Sequence, residues 1–287
     1  MAISVNVPLK PLTGQFPQDD TFASNGGLRH AGVLTINADD WGRDRETTDR
    51  ILECANRRVI SSASGMVFME DSEHAASLAG ERRIDIGLHL NLTEAFSARN
   101  ASASLQEHHG RVARFLRRHR LFQTVYHPGL ATSFEYVVKA QLEEFNRIYG
   151  EAPKRIDGHH HMHLSENVLT GKLLPSGTLL RRNFSFAPGE KSWINRRYRK
   201  FVDSRLQRRH LVVDYLFSIE PIETARLQRI FSCAQRAFVE LETHPVNEAE
   251  FQFLTSPEMT KLLRGFPIAP DFSAMALRHT AARSPML

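Results

Sequence analysis

The 287 residues, 41% of them hydrophobic, suffice for one large α/β barrel or two small domains with a substantial core. Net charge is +5, from 37 Lys+Arg against 32 Asp+Glu, a modest excess carried by arginine clusters. Two cysteines, Cys54 and Cys233, give no disulfide framework, no run approaches the ~18 apolar residues that span a bilayer, and the first residues lack a basic segment followed by an apolar core. A disulfide scaffold and a membrane-spanning protein are therefore excluded, and a reducing, cytoplasmic setting is the expectation.

Residues 1–30 contain Pro8, Pro11, Pro17, Gly14, Gly26 and Gly27 without a sustained period, which predicts an extended or disordered arm ahead of one domain over 31–287. Val33 to Ala38 is an apolar strand that ends in the carboxylate pair Asp39–Asp40 and a glycine turn at Gly42, with a helix from about Glu46. Adjacent acids repel, and such pairs persist where a cation or a proton separates them. On an extended strand their side chains point in different directions. Ile60 to Met69 reads as a second strand, Asp71 to Gly80 as a short helix, and Ile84 to Leu90 as a third strand. Its His89 stands among aliphatic residues, where a lone histidine is more often a hydrogen-bonded core residue than a ligand.

Ala95 to Leu130 breaks the alternation. It is polar, carries Arg111, Arg114, Arg117, Arg118 and Arg120, and reads as an excursion between strand and helix with Val112, Phe115 and Leu116 on its apolar side. The arginines fit a solvated helical face better than a nucleic-acid platform, because interleaved aromatics are absent. Phe134 to Tyr149 is the strongest helix, with a stripe of Phe134, Val137, Val138, Leu142, Phe145 and Ile148 that Gly150 ends.

Arg155 to Leu164 is the stretch that demands chemistry, since four of the 14 histidines fall within 159–163. A strand from Arg155 places Asp157 and His159 on one face at period two, with His159 where the strand runs out. In barrels of alternating strands and helices, that end is where sites are built. Imidazole is the commonest metal ligand; the alternative is an exposed histidine loop or an adventitious metal site without chemistry. Asn167 to Leu174 follows as a helix and Thr178 to Phe184 as a strand, near whose end Arg181 or Arg182 would hold a substrate group or face solvent. Asn195 to His210 is an arginine-rich surface helix. Leu211 to Phe217 and Arg236 to Glu242 are the last strands, with a helix between them. In the latter, Glu240 and Glu242 alternate with Val239 and Leu241, and His244 continues the polar face. After Pro267 the tail has little pattern. The alternation argues for parallel β-α units and an irregular TIM-like (β/α) barrel.

One Asp and two His from three strand ends form the minimal facial set for a divalent metal. Four motifs stand in order: Asn37 to Gly42 (N-A-D-D-aromatic-G), Gly87 to Thr93 (G-x-H-x-x-L-T), Asp157 to His163 (D-x-H-H-H-x-H) and His244-Pro245. In this order they resemble the YdjC-like (ChbG/HpnK) carbohydrate deacetylases over about residues 33–247. The resemblance implies one divalent ion (Zn²⁺ or Mg²⁺) on Asp40, His89 and His159, with Asp39 as general base. Trp41 stands where many members have Phe, and Gly158 where many have Ser, which leaves the ligands intact and bears on substrate identity.

The chemistry that fits is hydrolysis of an N-acetyl group from an amino sugar, with His244 as the acid for the leaving amine and Asp157 orienting a histidine. Arg181, His161 and Trp41 are the candidate substrate contacts, and His161 and His163 either line the pocket or pack. Two other classes stay open: a metal-dependent phosphoesterase, for which a single Asp pair is sparse, and a non-catalytic basic binding protein, which leaves the Asp and His clustering unexplained. An N-acetylated sugar is the expected partner, without nucleic acid or a membrane span. Pairing with a second copy as a homodimer is left open.

Overall fold

Strand β1, Val33–Trp41, alternates Leu34, Ile36 and Ala38 with Thr35, Asn37 and Asp39, and all six are buried. A strand buried on both faces belongs in the middle of a sheet, and β1 lies between β2 (Ser62–Gly65) and β7 (Phe238–Thr243), parallel to both. The computed structural model describes residues 32–186, 191–266 and 268–273. The expected arm over 1–30 and most of the tail after Pro267 lie outside them.

The other strands are β3 (Asp85–Leu90), β4 (Arg155–Gly158), β5 (Leu179–Leu180) and β6 (Tyr215–Ser218), all parallel in the order β5-β4-β3-β2-β1-β7-β6. The two edges, β5 and β6, are consecutive in the chain. A bridge between Leu179 and Leu211 and the bond from Ser185 N–H to the Leu216 carbonyl (2.8 Å) draw them together. The strands thus follow one another around a curled sheet, the arrangement of an irregular TIM-like barrel with a ragged seam.

Helices α1 (Arg45–Asn56), α2 (Ser72–Arg82), α3 (Ala103–Arg118), α4 (Ala131–Tyr149), α5 (Glu166–Thr170), α6 (Trp193–Gln207), α7 (Thr224–Cys233), α8 (Glu248–Leu254) and α9 (Pro257–Gly265) surround it. Outward-facing apolar residues feed two clusters. One joins Ile36 and Leu241 to Ile51, Phe231 and Leu254; the other joins Leu88 and Ile156 to Val112, Phe134 and Phe145. Beyond an apolar floor of Leu179, Val213, Phe238 and Phe272, the inward faces differ from the aliphatic filling usual in such barrels. They carry Asn37, Asp39, Ser62, Ser64, Arg155, Asp157, Glu240 and Glu242, all buried.

The sequence reading overextends three strands. Ile60–Met69 contributes only Ser62–Gly65, because the Ser72 hydroxyl donates to the Met66 carbonyl and accepts from Met69 N–H, turning the chain into α2. Thr178–Phe184 contributes only Leu179–Leu180, and the strand expected from Leu211 begins at Tyr215, since both lie at the seam where pairing is sparse. The polar excursion contains a full helix, α3, capped by Ser102 and seated through Leu105, Val112 and Leu116. Among the described residues, no helix is long and apolar enough to cross a membrane.

Phe231 is fully buried within the first cluster. Phe231→Ala is expected to cost about 3–5 kcal/mol of folding stability. Urea denaturation measures it, and a loss below about 1 kcal/mol would mean that the cluster collapses into the space left behind.

Candidate active site

The carboxyl ends of β1, β3 and β4 meet around Asp40. Between Ala38 and Trp41 the pairing of β1 with β2 slips, and Asp40 takes a left-handed φ of 73°. Aspartate is among the few non-glycine residues that adopt this region readily. This bulge overturns the expectation that the paired acids diverge. His89 Nε2 lies 3.2 Å from Asp40 Oδ1 and 3.9 Å from Asp39 Oδ2, so both carboxylates face the same nitrogen. Bulges beside sites commonly re-aim a side chain in this way.

His89 is fixed from behind, where its Nδ1 lies 2.6 Å from Asp157 Oδ1 and donates to it, turning Nε2 toward Asp40. Asp157 is itself held by Ser64 (2.5 Å) and Arg155 (2.9 Å). His159 lies with Nδ1 2.9 Å from Asp40 Oδ1 and Nε2 3.0 Å from Glu94 Oε2. The next two residues, His160 and His161, both adopt left-handed φ, at 54° and 57°, so the chain reverses at once and the histidines fan apart.

Donor atoms of Asp40, His89 and His159 lie within 4.8 Å of one another, all three buried. His89 Nε2 is buried without a hydrogen bond in spite of its nearness to Asp40. A buried nitrogen left open beside a carboxylate and a second imidazole is a donor set that fits a divalent cation. Burial opposes ionisation of Asp40, yet the hydrogen bond from His159 and the nearness of His89 hold its carboxyl well below the usual range. Burial likewise opposes a charge on His89; the charge of Asp39 and the contacts with Asp157 and Asp40 outweigh it and raise the imidazole to about 10.

Asp39 faces the barrel lumen. Arg181 clamps it with Nη1 to Oδ2 at 2.6 Å and Nη2 to Oδ1 at 2.8 Å, while Asn37 donates to Oδ1. The same guanidinium reaches Glu240 (2.7 Å), Glu242 (3.1 Å) and Asp157 (3.2 Å). His244 is partly exposed, with Nε2 3.8 Å from Asp39 and 3.9 Å from Glu242. Burial works against its charge, and the carboxylates of Asp39 and Glu242 overcome that and raise it. His161 Nε2 lies 3.2 Å from Glu242, with its ring edge-on to Phe184.

Asp39, Asp40, His89, Asp157, His159, His161 and His244 are therefore gathered at one place. Two expected substrate contacts are not available. Trp41 has 0% exposure and belongs to the first apolar cluster, because the bulge turns it away from the mouth. Arg181, 2% exposed, spends its donors on four carboxylates and has none left for a substrate. His163 packs, donating from Nε2 to the Arg181 carbonyl (2.9 Å), and burial depresses it to about 3. Its ring leaves no room for a side chain at 158, since a Cβ there would meet His163 Nδ1 at 2.9 Å. Sequence reasoning missed Glu94, one residue beyond the His89 motif, and Ser64, in a strand of small residues with no signal of its own. It saw Glu242 only as part of a polar face.

Residues 33–265 match the family model described as YdjC-like protein. A carbohydrate deacetylase of Danio rerio is 30% identical over 139 residues, 47% of this chain and 43% of its own length. A chitooligosaccharide deacetylase of Yersinia pestis (strain Pestoides F) is 29% identical over 137 residues, 47% of this chain and 52% of its own. The match thus spans about half the length of these curated relatives. A solved structure from Enterococcus faecalis V583, of a protein named for cellobiose-phosphate cleavage, aligns with TM-score 0.62 at 20% identity, covering 86% of this chain and 99% of that one, a likeness of fold.

Buried histidines with opposite shifts, His89 and His163 foremost, are expected to give the metal-free protein a pH optimum. His89, raised to about 10, contributes stability that is complete below pH 6.5 and lost as pH climbs toward 10. His163, lowered to about 3, contributes stability that is complete above 6.5 and lost as pH falls toward 3. Chelator-treated protein is expected to melt highest near pH 6.5, with the alkaline decline abolished by added divalent metal, since a coordinated nitrogen carries no proton. Calorimetry across pH checks this, and an alkaline decline that metal leaves unchanged would contradict it.

Proposed function

We propose that this chain, which belongs to the YdjC-like protein family, is a metal-dependent hydrolase that removes an N-acetyl group from an amino sugar carried on an oligosaccharide or a glycolipid. The observation that carries the reading is the convergence of Asp40, His89 and His159 around an open buried nitrogen, with a second carboxylate, Asp39, beside it. The deacetylase names of the curated relatives supply the reaction class. When bound, a divalent ion supplies the Lewis acidity that makes a water nucleophilic near neutral pH and polarises an amide carbonyl.

The chain's own residues do the rest. Asp157 fixes the tautomer of His89, so that Nε2 faces the donor set. Asp39, oriented by the two-pronged grip of Arg181, takes the proton of the attacking water as its oxygen bonds to the carbonyl carbon. As the carbon–nitrogen bond breaks, the amine needs a proton, and His244 stands beside Asp39 with its own proton held by neighbouring carboxylates. Acetate and the free amino sugar result. His161, partly exposed above Glu242, lines the approach.

A phosphoesterase working with two metals would need a second donor set, and among the described residues Asp39, Glu242 and His244 are the one that shares no residue with the first. Arg181 already sits 2.6 Å from Asp39 and 3.1 Å from Glu242, and its positive charge opposes a cation there. One metal per chain is the expectation, which elemental analysis counts. His89→Ala and His159→Ala should each strip the metal, whereas Asp39→Asn should retain it and lose turnover by about 10²–10⁴-fold. Full metal in both histidine variants, or near-parental activity in Asp39→Asn on N-acetylated oligosaccharides, would overturn the assignment.

His244 is tested through its leaving group. Activity should be bell-shaped in pH, with a basic limb above the usual histidine range that His244→Ala abolishes. The variant should lose far more activity on an N-acetyl sugar than on nitrophenyl acetate, whose leaving group needs little protonation. Equal losses on both would reduce His244 to a structural role.

A further inference from the structure

Eight large hydrophobic residues are exposed among the described residues, and seven of them fall in two segments. On α6 these are Trp193 (63%), Ile194 (71%), Tyr198 (39%) and Phe201 (59%); after α3 they are Leu121 (56%), Val125 (50%) and Tyr126 (40%). The eighth, Tyr136, has a partner in the His108 ring. Both segments flank α5. Arg205 of α6 pairs with Glu166 at the start of α5, and His127 exchanges two hydrogen bonds with Asn167. The segment after α3 and the first turn of α6 also lie at the end of the barrel that carries the site. The chain enters α6 from the carboxyl end of β5, and the arginines at the close of α3 share a cavity with Thr93 and Ala95, just beyond β3.

Positive charge surrounds these apolar tips. Arg196, Arg197, Arg199, Lys200, Arg205 and Arg208 lie on or just after α6, where the one acid, Asp203, is buried and engaged by Arg182 and Asn183. Arg197 lies over the Trp193 ring at 5.1 Å and Arg205 over Phe201 at 5.8 Å. Arg114, Arg117, Arg118 and Arg120 are exposed and have no carboxylate partner among the described residues. A helix with Trp, Ile and Phe on one side and Arg and Lys beside them is built to lie in a membrane interface, apolar tips in the acyl boundary and cations on headgroups.

We infer that this face docks the enzyme on an anionic lipid bilayer. Nucleic acid accounts less well for it, because Ile194, Leu121 and Val125 offer no stacking surface, and stacking is what exposed side chains contribute there. Docking sets the mouth of the site at headgroup level. Resting on the deacetylase reading, it makes an N-acetylated amino sugar borne on a lipid the substrate class.

The two tryptophans make the test direct, since Trp41 is fully buried and Trp193 is the exposed one. With vesicles of phosphatidylglycerol and phosphatidylcholine, Trp193 emission should shift to the blue and become shielded from an aqueous quencher; with phosphatidylcholine alone it should change little. Ile194→Ser and Phe201→Ser, which keep the reporter, should each weaken binding about tenfold. Arg117→Ala and Arg118→Ala should each weaken it about fivefold, and added salt should weaken it further. Asp39→Asn should bind vesicles like the parent, which separates docking from catalysis. Unchanged emission with anionic vesicles, an equal shift on uncharged ones, or a shift produced instead by an oligonucleotide or by concentrating the protein would overturn the inference.

Discussion

The structure depends on a guanidinium buried inside a barrel. Arg181 is surrounded by Asp39, Asp157, Glu240 and Glu242, and an unpaired charge at such depth would cost several kcal/mol. The four acids make its burial tolerable, and it makes theirs tolerable in return. Arg155 repeats the device on a smaller scale, bonding Asp157, Ser64 and the Ala63 carbonyl beneath the site. Gly87 permits this, since a Cβ there would sit 2.7 Å from the Arg155 guanidinium carbon. Toward the site the lumen is therefore filled by a hydrogen-bonded lattice of ions, and apolar packing comes from the clusters outside the sheet and from Leu179, Val213, Phe238 and Phe272 at its other end.

That lattice has a functional consequence. Acids outnumber arginines in the lumen, and the remaining negative charge is concentrated at the strand ends, where Asp39 and Asp40 meet. Those carboxylates favour protons on His89, His159 and His244 in the metal-free protein and raise all three from the ordinary histidine value against the effect of burial. A divalent cation among Asp40, His89 and His159 answers the same excess, so charge balance and the proposed chemistry ask for the same occupant.

Local backbone geometry supplies the rest. Asp40, His160 and His161 are non-glycine residues in left-handed conformation, which aspartate adopts readily and which costs each histidine about 1–2 kcal/mol on steric grounds. The first turns two neighbouring acids toward one histidine. The other two let a run of four histidines serve different ends: His159 at the donor set, His160 beside Thr93, His161 against Glu242 and His163 in the packing. Such strain persists where surrounding contacts over-determine it, as they do here.

The sequence by itself determined the repeating strand and helix order, the stripe of α4, the clustering of acids and histidines at strand ends, and the family resemblance. Each of these is written in local periodicity or in ordered motifs. Only the tertiary structure decided which way the side chains point. Asp39 and Asp40 converge because a bulge against β2 breaks the period-two rule that a lone strand obeys. Arg181 reads as a substrate contact at a strand end until β7 is wrapped beside it, for only then do Glu240 and Glu242, some sixty residues away, consume its donors. Trp41 reads as a mouth residue until the same bulge sends it into the core. Glu94 and Ser64 had no signal because their partners, His159 just past β4 and Asp157 on it, come from a distant part of the chain, and a charge or hydroxyl gains its role from what stands across from it.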